Sequence, residues 1–541
     1  MFGAGGGTSS YREAEDTELV LLWGSNARET HPIFFHHLLR GVRNGGRIVA
    51  VDPRRTSTAE WADLWLGIDV GSDIALANAI AREIIHSDLA DKEFIGRATT
   101  GFGDYARCVE AYTLERAESE TGVPASAIKE VAHAYGRADR AMICWTLGIT
   151  EHHNAVDNVL ALINLALLTG KVGRYGCGLN PLRGQNNVQG GGDMGAIPNR
   201  LPGFQDLEDP AMRAPFEKAW DTAVPPKRGY HLSQMFESME HGEMRAVYIV
   251  GENPARSEAD QTRAVRLLSG LEHLVVQDLV LTQTADLAHV VLPAAAGWAE
   301  SEGTVTSSER RVQRVRRALE PPAGARDDID IICEIAKRLG CDWGEPTAEQ
   351  VWDECRSLSP MHAGMAYSRL DELGGIQWPC PDETHPGTKF LHERLWKDPV
   401  EGPRAPFSVV EHDPPVDKLT EEFPIRLTTG RRLDSFNTGV QTGAYSSPLR
   451  LPEALLLSPA DGARLGIADG ERVLASSRRG AVEMPVRFDA TLRPGLAFLT
   501  LHFPDQVATN VLTIDATDPK SGTAEFKASA IRVDKLATRV K

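Results

Sequence analysis

Apolar runs punctuated by glycine set the first pattern along the chain. Leu19 to Trp23 is apolar throughout and predicts a buried strand, which ends at Gly24-Ser25-Asn26. A helical pattern follows from about Pro32 to Val42, and a second strand, Arg47 to Val51, ends on Asp52. Strand, turn, helix and strand in this order predict parallel pairing with a helical crossover. Ligands of such units lie at the carboxyl ends of the strands, where glycine permits close approach and an acid can hold a sugar or base.

The same order returns later. Ala246 to Val250 predicts a strand, Gly251-Glu252-Asn253-Pro254 a turn, about Asp260 to Leu268 a helix, and His273 to Gln277 a strand ending on Asp278. Gly24 to Asp52 spans 28 positions and Gly251 to Asp278 spans 27. Beyond each aspartate, Thr56 aligns with Thr282, Thr58 with Thr284, Ala59 with Ala285 and Leu66 with Leu292 at identical offsets. One glycine after a strand is weak ground for a nucleotide site, because any α/β protein offers it. Two in register predict an internal duplication carrying two related nucleotide sites.

Trp145 to Glu151 ends another strand. The most apolar stretch, Val159 to Leu168, is broken by Asn164 and stops at Gly170, short of the roughly 20 residues that cross a bilayer, so it predicts a buried helix. From about Phe423 the pattern changes to short β-branched runs separated by glycine turns, such as Gly466 to Val473, which predict a β-barrel. Pro381 to Glu422, rich in proline and charge, reads as a connection. A chain of 541 residues is too long for one core and divides into three or four domains at roughly 150 residues each.

Composition narrows the function classes. With 58 basic and 75 acidic residues the net charge is −17, which repels nucleic-acid backbones and anionic membrane surfaces. Neither nucleic-acid binding nor membrane insertion is expected. The seven cysteines are scattered with no C-x-x-C pair, so no metal-ligating set is expected in this chain, and thin, odd-numbered usage fits a reducing, cytoplasmic compartment. Met1 to Gly7 has neither a basic start nor an apolar core, so it is no secretory signal, and without a following Gly-Lys-Ser/Thr it is no P-loop.

The chemistry concentrates in Asn180-Pro181-Leu182-Arg183-Gly184-Gln185-Asn186-Asn187 and the glycine-rich run to Gly195, directly after the apolar helix. Glycines let the main chain approach a ligand, amides supply paired donors and acceptors, and Arg183 offers a permanent positive fork suited to a carboxylate. A glycine-rich surface loop is the commoner outcome for such composition taken alone.

This segment, continuing through Ala196-Ile197-Pro198 to Pro202-Gly203-Phe204-Gln205, resembles the active-site segment of the molybdenum- or tungsten-dependent formate dehydrogenases, within the larger group of molybdopterin oxidoreductases. The resemblance implies that Arg183 sits by the metal and orients formate, and that Gln185 contacts a pterin. It implies a metal held by two molybdopterin guanine dinucleotides, one guanosine end for each half of the duplication. The first site would draw on Gly24, Ser25, Asn26, Asp52-Pro53-Arg54 and Gly71-Ser72-Asp73, with Gly148 and Thr150 meeting the second pterin. The other would draw on Gly251, Asn253, Pro254, Asp278 and Thr282. Glu300 to Gln313 resembles a segment packed near the cofactor, with Ser307 where relatives usually have asparagine. Glu151 stands where relatives often carry glutamine, and a carboxylate beside phosphates is unfavourable. The adjacent His152 and His153 read as polar surface rather than as metal ligands.

In the barrel, Thr428-Thr429-Gly430-Arg431, Ser477 to Gly480, His502-Phe503, Asn510 and Glu525-Phe526-Lys527 resemble the family's cap over the pterins, where lysine and asparagine satisfy carbonyl and phosphate oxygens. Ser435 stands where relatives often have histidine. The expected fold is α/β: two related Rossmann-like nucleotide-binding domains with parallel sheets, plus a carboxyl-terminal β-barrel of double-psi type. The domains are residues 1–183 (first guanosine-binding domain), 184–380 (second, incomplete), 381–422 (linker) and 423–541 (barrel).

Relatives of this type begin with four cysteines for a [4Fe–4S] cluster, then a metal-ligating cysteine or selenocysteine followed by histidine. Met1 to Ser10 instead resembles the piece a short way after that ligand, so the expectation is a catalytic subunit lacking its amino-terminal portion. A selenocysteine UGA codon read as a stop would place a gene start at the next methionine, and sequencing the upstream DNA tests this. Formate and an electron-transfer subunit or redox partner are the expected partners. The alternatives are another molybdopterin oxidoreductase, acting on nitrate or a similar oxyanion, and an inactive cofactor-binding remnant or half of a split enzyme.

Overall fold

Five parallel strands form the first sheet: β1 (Leu19–Trp23), β2 (Arg47–Val51), β3 (Leu64–Leu66), β4 (Ala141–Trp145) and β5 (Gly178–Pro181). They run in the order β3-β2-β1-β4-β5 in this computed structural model, which describes Phe2, residues 5–433 and residues 452–536. Apolar runs become central strands because both faces are covered: every residue of β1 and β4 is buried. The helices Asp73–His86, Ala125–Arg137 and Ala155–Leu168 pack together on one side. Pro32–Arg43 lies on the other. Each fully buried Leu, Ile or Val there contributes about 1.5–3 kcal/mol.

The second unit repeats the first half of this sheet. Strands β6 (Ala246–Val250), β7 (His273–Asp278) and β8 (Val290–Pro293) run parallel in the order β8-β7-β6. The duplication holds at the level of register, since Val51 pairs with Leu66 in the first unit and Gln277 pairs with Leu292 in the second. Helices Leu232–Glu240 and Gln261–Ser269 cover one face of this smaller sheet. Among the described residues β6 is paired on one side alone, and Tyr248 and Val250 on its other face are 41% and 47% exposed. Its counterpart β1 is paired on both sides.

Residues 381–422 cross the surface of the first unit rather than bridging open solvent. Leu391, Leu395, Phe407 and Val410 are buried, and Ala405–Pro406 pairs in parallel with Thr99–Thr100. Beyond them Ile425–Gly430, Leu455–Leu457, Arg472–Ser476, Ala481–Phe488, Leu496–Thr500 and Ser529–Lys535 close into a barrel around Leu427, Leu455, Val473, Met484 and Ile531. No described helix is long and apolar enough to cross a membrane.

Candidate functional site

The glycine turn after β1 is closed by its own hydrogen bonds. Gly24, at φ +57°, donates its N–H to the Val51 carbonyl at 2.8 Å. Asn26 Oδ1 then accepts from Thr58 Oγ1 at 2.8 Å and from Thr58 N at 3.3 Å, while Thr58 Oγ1 accepts from Arg28 N at 2.9 Å. The second unit repeats this bond for bond. Gly251, at φ +65°, donates to the Gln277 carbonyl at 2.8 Å. Asn253 Oδ1 accepts from Thr284 Oγ1 at 2.8 Å and Thr284 N at 3.2 Å, and Thr284 Oγ1 accepts from Ala255 N at 3.0 Å. The hydroxyls of Thr56 and Thr282 accept from Ala59 N and Ala285 N at 3.2 and 3.1 Å.

The strand order reverses between β1 and β4, and a crevice opens there at the carboxyl ends of both. Its floor is a close crossing of two main chains: a Cβ on Gly148 would stand 2.5 Å from the Gly24 carbonyl oxygen, and one on Gly24 would stand 2.8 Å from the Gly148 carbonyl carbon. Thr146 Oγ1 fastens the crossing by donating to Gly24 O at 2.6 Å. The cavity encloses about 1170 Å³, part of it open to solvent. The first unit supplies Gly24, Asn26, Asp52, Pro53, Arg54, Gly71, Asp73 and Gly148; the barrel supplies Thr429, Gly430, Arg431 and Lys527.

Charge in this cavity is mixed. Arg54, Arg431 and Lys527 are basic, and Arg54 lies 3.6 Å over the Phe498 ring of the barrel. Asp52 accepts from Arg54 N at 2.9 Å, and Asp73 accepts from the Trp23 indole at 2.8 Å. Burial pushes both carboxyls above their ordinary range, opposed mainly by Arg54 at Asp52 and by His152 at Asp73. Ser25 Oγ is buried without a hydrogen-bond partner in the protein. Cations for phosphates, acids for a base or ribose, and a floor on which a side chain would collide fit a nucleotide diphosphate.

Arg183 borders this crevice through its main chain. Its carbonyl meets His31 Nε2 at 2.7 Å, and both His31 and Gly184 line the cavity. Its amide donates to Ser308 Oγ at 2.8 Å, so the segment read as packing near the cofactor packs on the arginine loop. The half-buried side chain donates from Nε to Gln189 Oε1 at 3.0 Å and from Nη2 to the Gly5 carbonyl at 2.8 Å, which leaves at most three of the five guanidinium donors for a ligand. Gln185 is exposed beside it.

Other predicted residues fall outside the cavity lining. Ser25 and Ser72 flank lining residues, with Ser72 Oγ donating to Asp69 O at 2.7 Å, and Thr150 lies between the lining residues Gly148 and His152 without adjoining either. Gly251, Asn253, Pro254, Asp278 and Thr282 gather at the strand ends of the second unit. Asn510 joins them, its amide donating to the carbonyls of Arg256 and Ser257 at 3.1 and 3.2 Å. The barrel therefore touches both strand-end regions. Ser435 lies outside the described residues.

The reading of His152 and His153 as polar surface is corrected. Both are buried, at 2% and 8% exposure, and both reach the buried Glu525 of the barrel, at 3.3 and 3.4 Å. Burial disfavours a charged His152, but Glu525 more than offsets it and the pKa rises; burial likewise opposes ionisation of Glu525, which the histidines overcome to hold it well below the carboxylate range. Glu151 meets Lys527 Nζ at 2.8 Å, so its charge is answered within the protein. Sequence reasoning missed His31, Glu29 and His152 as lining residues. His31 carried one signal, a polar residue immediately before the proline that opens a helix.

Residues 4–338, more than half of the chain, match the family described as Molybdopterin oxidoreductase. This chain belongs to that family. Residues 425–530, nearly all of the barrel, match the Molydopterin dinucleotide binding domain, so the cofactor class of this molybdopterin oxidoreductase is a molybdopterin. The F420-dependent formate dehydrogenase 2 subunit alpha of Methanococcus maripaludis is 41% identical over 99% of this chain and 79% of that protein. Formate dehydrogenase H of Escherichia coli is 37% identical over 99% of this chain and 75% of that protein. Acetylene hydratase from Pelobacter acetylenicus shares the fold, with a TM-score of 0.73 at 20% identity over 99% of this chain and 80% of that one.

Proposed function

We propose that this chain is catalytic polypeptide of a formate dehydrogenase, oxidising formate to carbon dioxide and handing the electrons to a separate redox partner in the cytoplasm. The observation that carries this reading is the arginine loop: a guanidinium held at the edge of the nucleotide crevice, in a chain 37–41% identical to proteins named formate dehydrogenases. A molybdenum or tungsten centre with two pterin guanine dinucleotides, when bound, takes up the electrons lost by formate. Gly24, Ser25, Asn26, Asp52, Pro53, Arg54, Gly71, Ser72 and Asp73 would hold one guanosine end, and Gly148 and Thr150 would meet the second pterin. Gly251, Asn253, Pro254, Asp278 and Thr282 would hold the other. Thr429, Gly430, Arg431, Asn510 and Lys527 would close over the pterins.

Arg183 pairs with the formate carboxylate and fixes its direction, and Gln185 contacts a pterin beside it. Orientation of this kind lowers the barrier by holding the reacting atoms in an attack geometry before chemistry begins. The test is metal and pterin analysis of the protein purified from its own host, followed by formate-dependent dye reduction. Molybdenum or tungsten with pterin and turnover on formate but not nitrate are expected. Absence of both metals would overturn the proposal. Arg183→Lys should raise the formate KM sharply, because lysine cannot present a planar fork, and unchanged kinetics would remove Arg183 from the site.

A further inference from the structure

Behind Arg183 lies a run of polar groups that the proposed chemistry does not use. Asp193 is fully buried, at 0% exposure, an unusual place for a carboxylate. Its Oδ1 accepts from Gln189 Nε2 at 2.8 Å and its Oδ2 from the Trp378 indole N–H at 2.7 Å. Gln189 Nε2 also donates to the Gly5 carbonyl at 3.1 Å, and Gln189 Oε1 accepts from Arg183 Nε at 3.0 Å. The two acceptors around Nε2 fix which way the carboxamide faces. With its amine turned to Asp193 and Gly5, only its oxygen can face the guanidinium.

We propose that Asp193, acting through Gln189, is a positioning residue that aims the Arg183 guanidinium, and that protonation of Asp193 releases that aim. The inference rests on the reading that Arg183 meets the formate carboxylate. A proton on Asp193 needs an acceptor, and neither of its present partners, both N–H donors, supplies one. Rotation of the Gln189 carboxamide supplies one, because its oxygen then accepts from Asp193. The same rotation turns an N–H toward Arg183 Nε–H, donor against donor, and the guanidinium loses its Nε anchor. Burial pushes Asp193 up to about 6, opposed by the bonds from Gln189 and Trp378 and by the charges of Arg183 and Arg310. Arg310 in turn faces Glu13 and Glu309. The release therefore falls just below neutral pH, well above the range in which formate itself titrates.

The experiment compares formate KM and kcat of the cofactor-loaded enzyme, and of Asp193→Asn and Gln189→Met, from about pH 5 to pH 8. In the unsubstituted enzyme KM should rise about tenfold to a hundredfold as pH falls through the Asp193 value of about 6, with kcat changing less, the size expected for losing one charge-assisted hydrogen bond. Asp193→Asn, which like the protonated acid presents a donor, should hold the high acid-side KM at every pH. A second readout needs no turnover: the Trp378 indole resonance of ¹⁵N-tryptophan-labelled protein, assigned through Trp378→Phe. It should titrate near 6 in the unsubstituted protein, at higher pH in Gln189→Met, which removes a bond that opposes the rise, and stay flat in Asp193→Asn. A flat Trp378 resonance in the unsubstituted protein, or an Asp193→Asn KM equal to the unsubstituted value at about pH 8, overturns the inference. If Arg183→Lys leaves formate KM unchanged, the functional reading fails instead, and the Trp378 titration still decides whether Asp193 takes up a proton near pH 6.

Discussion

Asn26 and Asn253 show how one residue type can answer two demands. Sequence recurrence marks both as site residues, yet their carboxamide oxygens are taken up by Thr58 and Thr284, which hold the glycine turns in shape. A ligand-binding asparagine and a turn-locking asparagine leave the same signature in a sequence, so recurrence finds the position without assigning the partner. Removing either oxygen leaves a buried N–H and hydroxyl without an acceptor. Asn26→Ala should therefore lower stability by about 1–3 kcal/mol in urea unfolding, and Asn253→Ala by a similar amount. His31 shows the opposite case: its place before a helix-opening proline is local, but its role is not. Its partner, the Arg183 carbonyl, lies 152 positions away, and no local pattern encodes that meeting.

At the scale of elements, strands made of apolar runs were legible: Leu19–Trp23, Arg47–Val51 and Ala246–Val250 fall where hydrophobicity places them. The edge strand Gly178–Pro181 was not, because Gly, Asn and Pro give no strand signal and its pairing with Ala141–Trp145 is set by tertiary contact. The crossing of Gly24 and Gly148 was half legible. Both glycines were marked, but their mutual approach depends on strand order, which sequence periodicity does not carry. Gly148→Ala should push its new methyl group against the Gly24 carbonyl and cost about 1–3 kcal/mol by overpacking. The same substitution should lower pterin content per chain. Full cofactor loading at unchanged thermal stability would show that the crossing is looser than the structure has it.

For the whole molecule, the barrel is clasped to the first unit through charge. His152 and Glu525 meet in the interior, Lys527 meets Glu151, and Arg493 reaches Asp69 at 2.7 Å. Because the His152 pKa is raised on folding, its contribution is complete below the ordinary value of 6.5 and is lost as pH rises through the raised one. Glu525 is depressed, so its contribution holds above the ordinary 4.5 and is lost only in strong acid. The clasp is thus firmest in mildly acidic solution and loosens on the alkaline side. Thermal unfolding between about pH 6 and pH 9 should show the barrel melting earlier as pH rises, and Glu525→Gln should flatten that dependence. Adjacent histidines at a helix entrance read as solvent-facing from sequence, because the carboxylate that draws them inward lies 373 positions from His152.

Because each glycine turn is tied by its own main-chain and asparagine bonds, its outline is set by the polypeptide itself. A guest seated there would meet walls already bonded to one another, so a substitution that cuts one of those bonds would alter the outline as well as the stability.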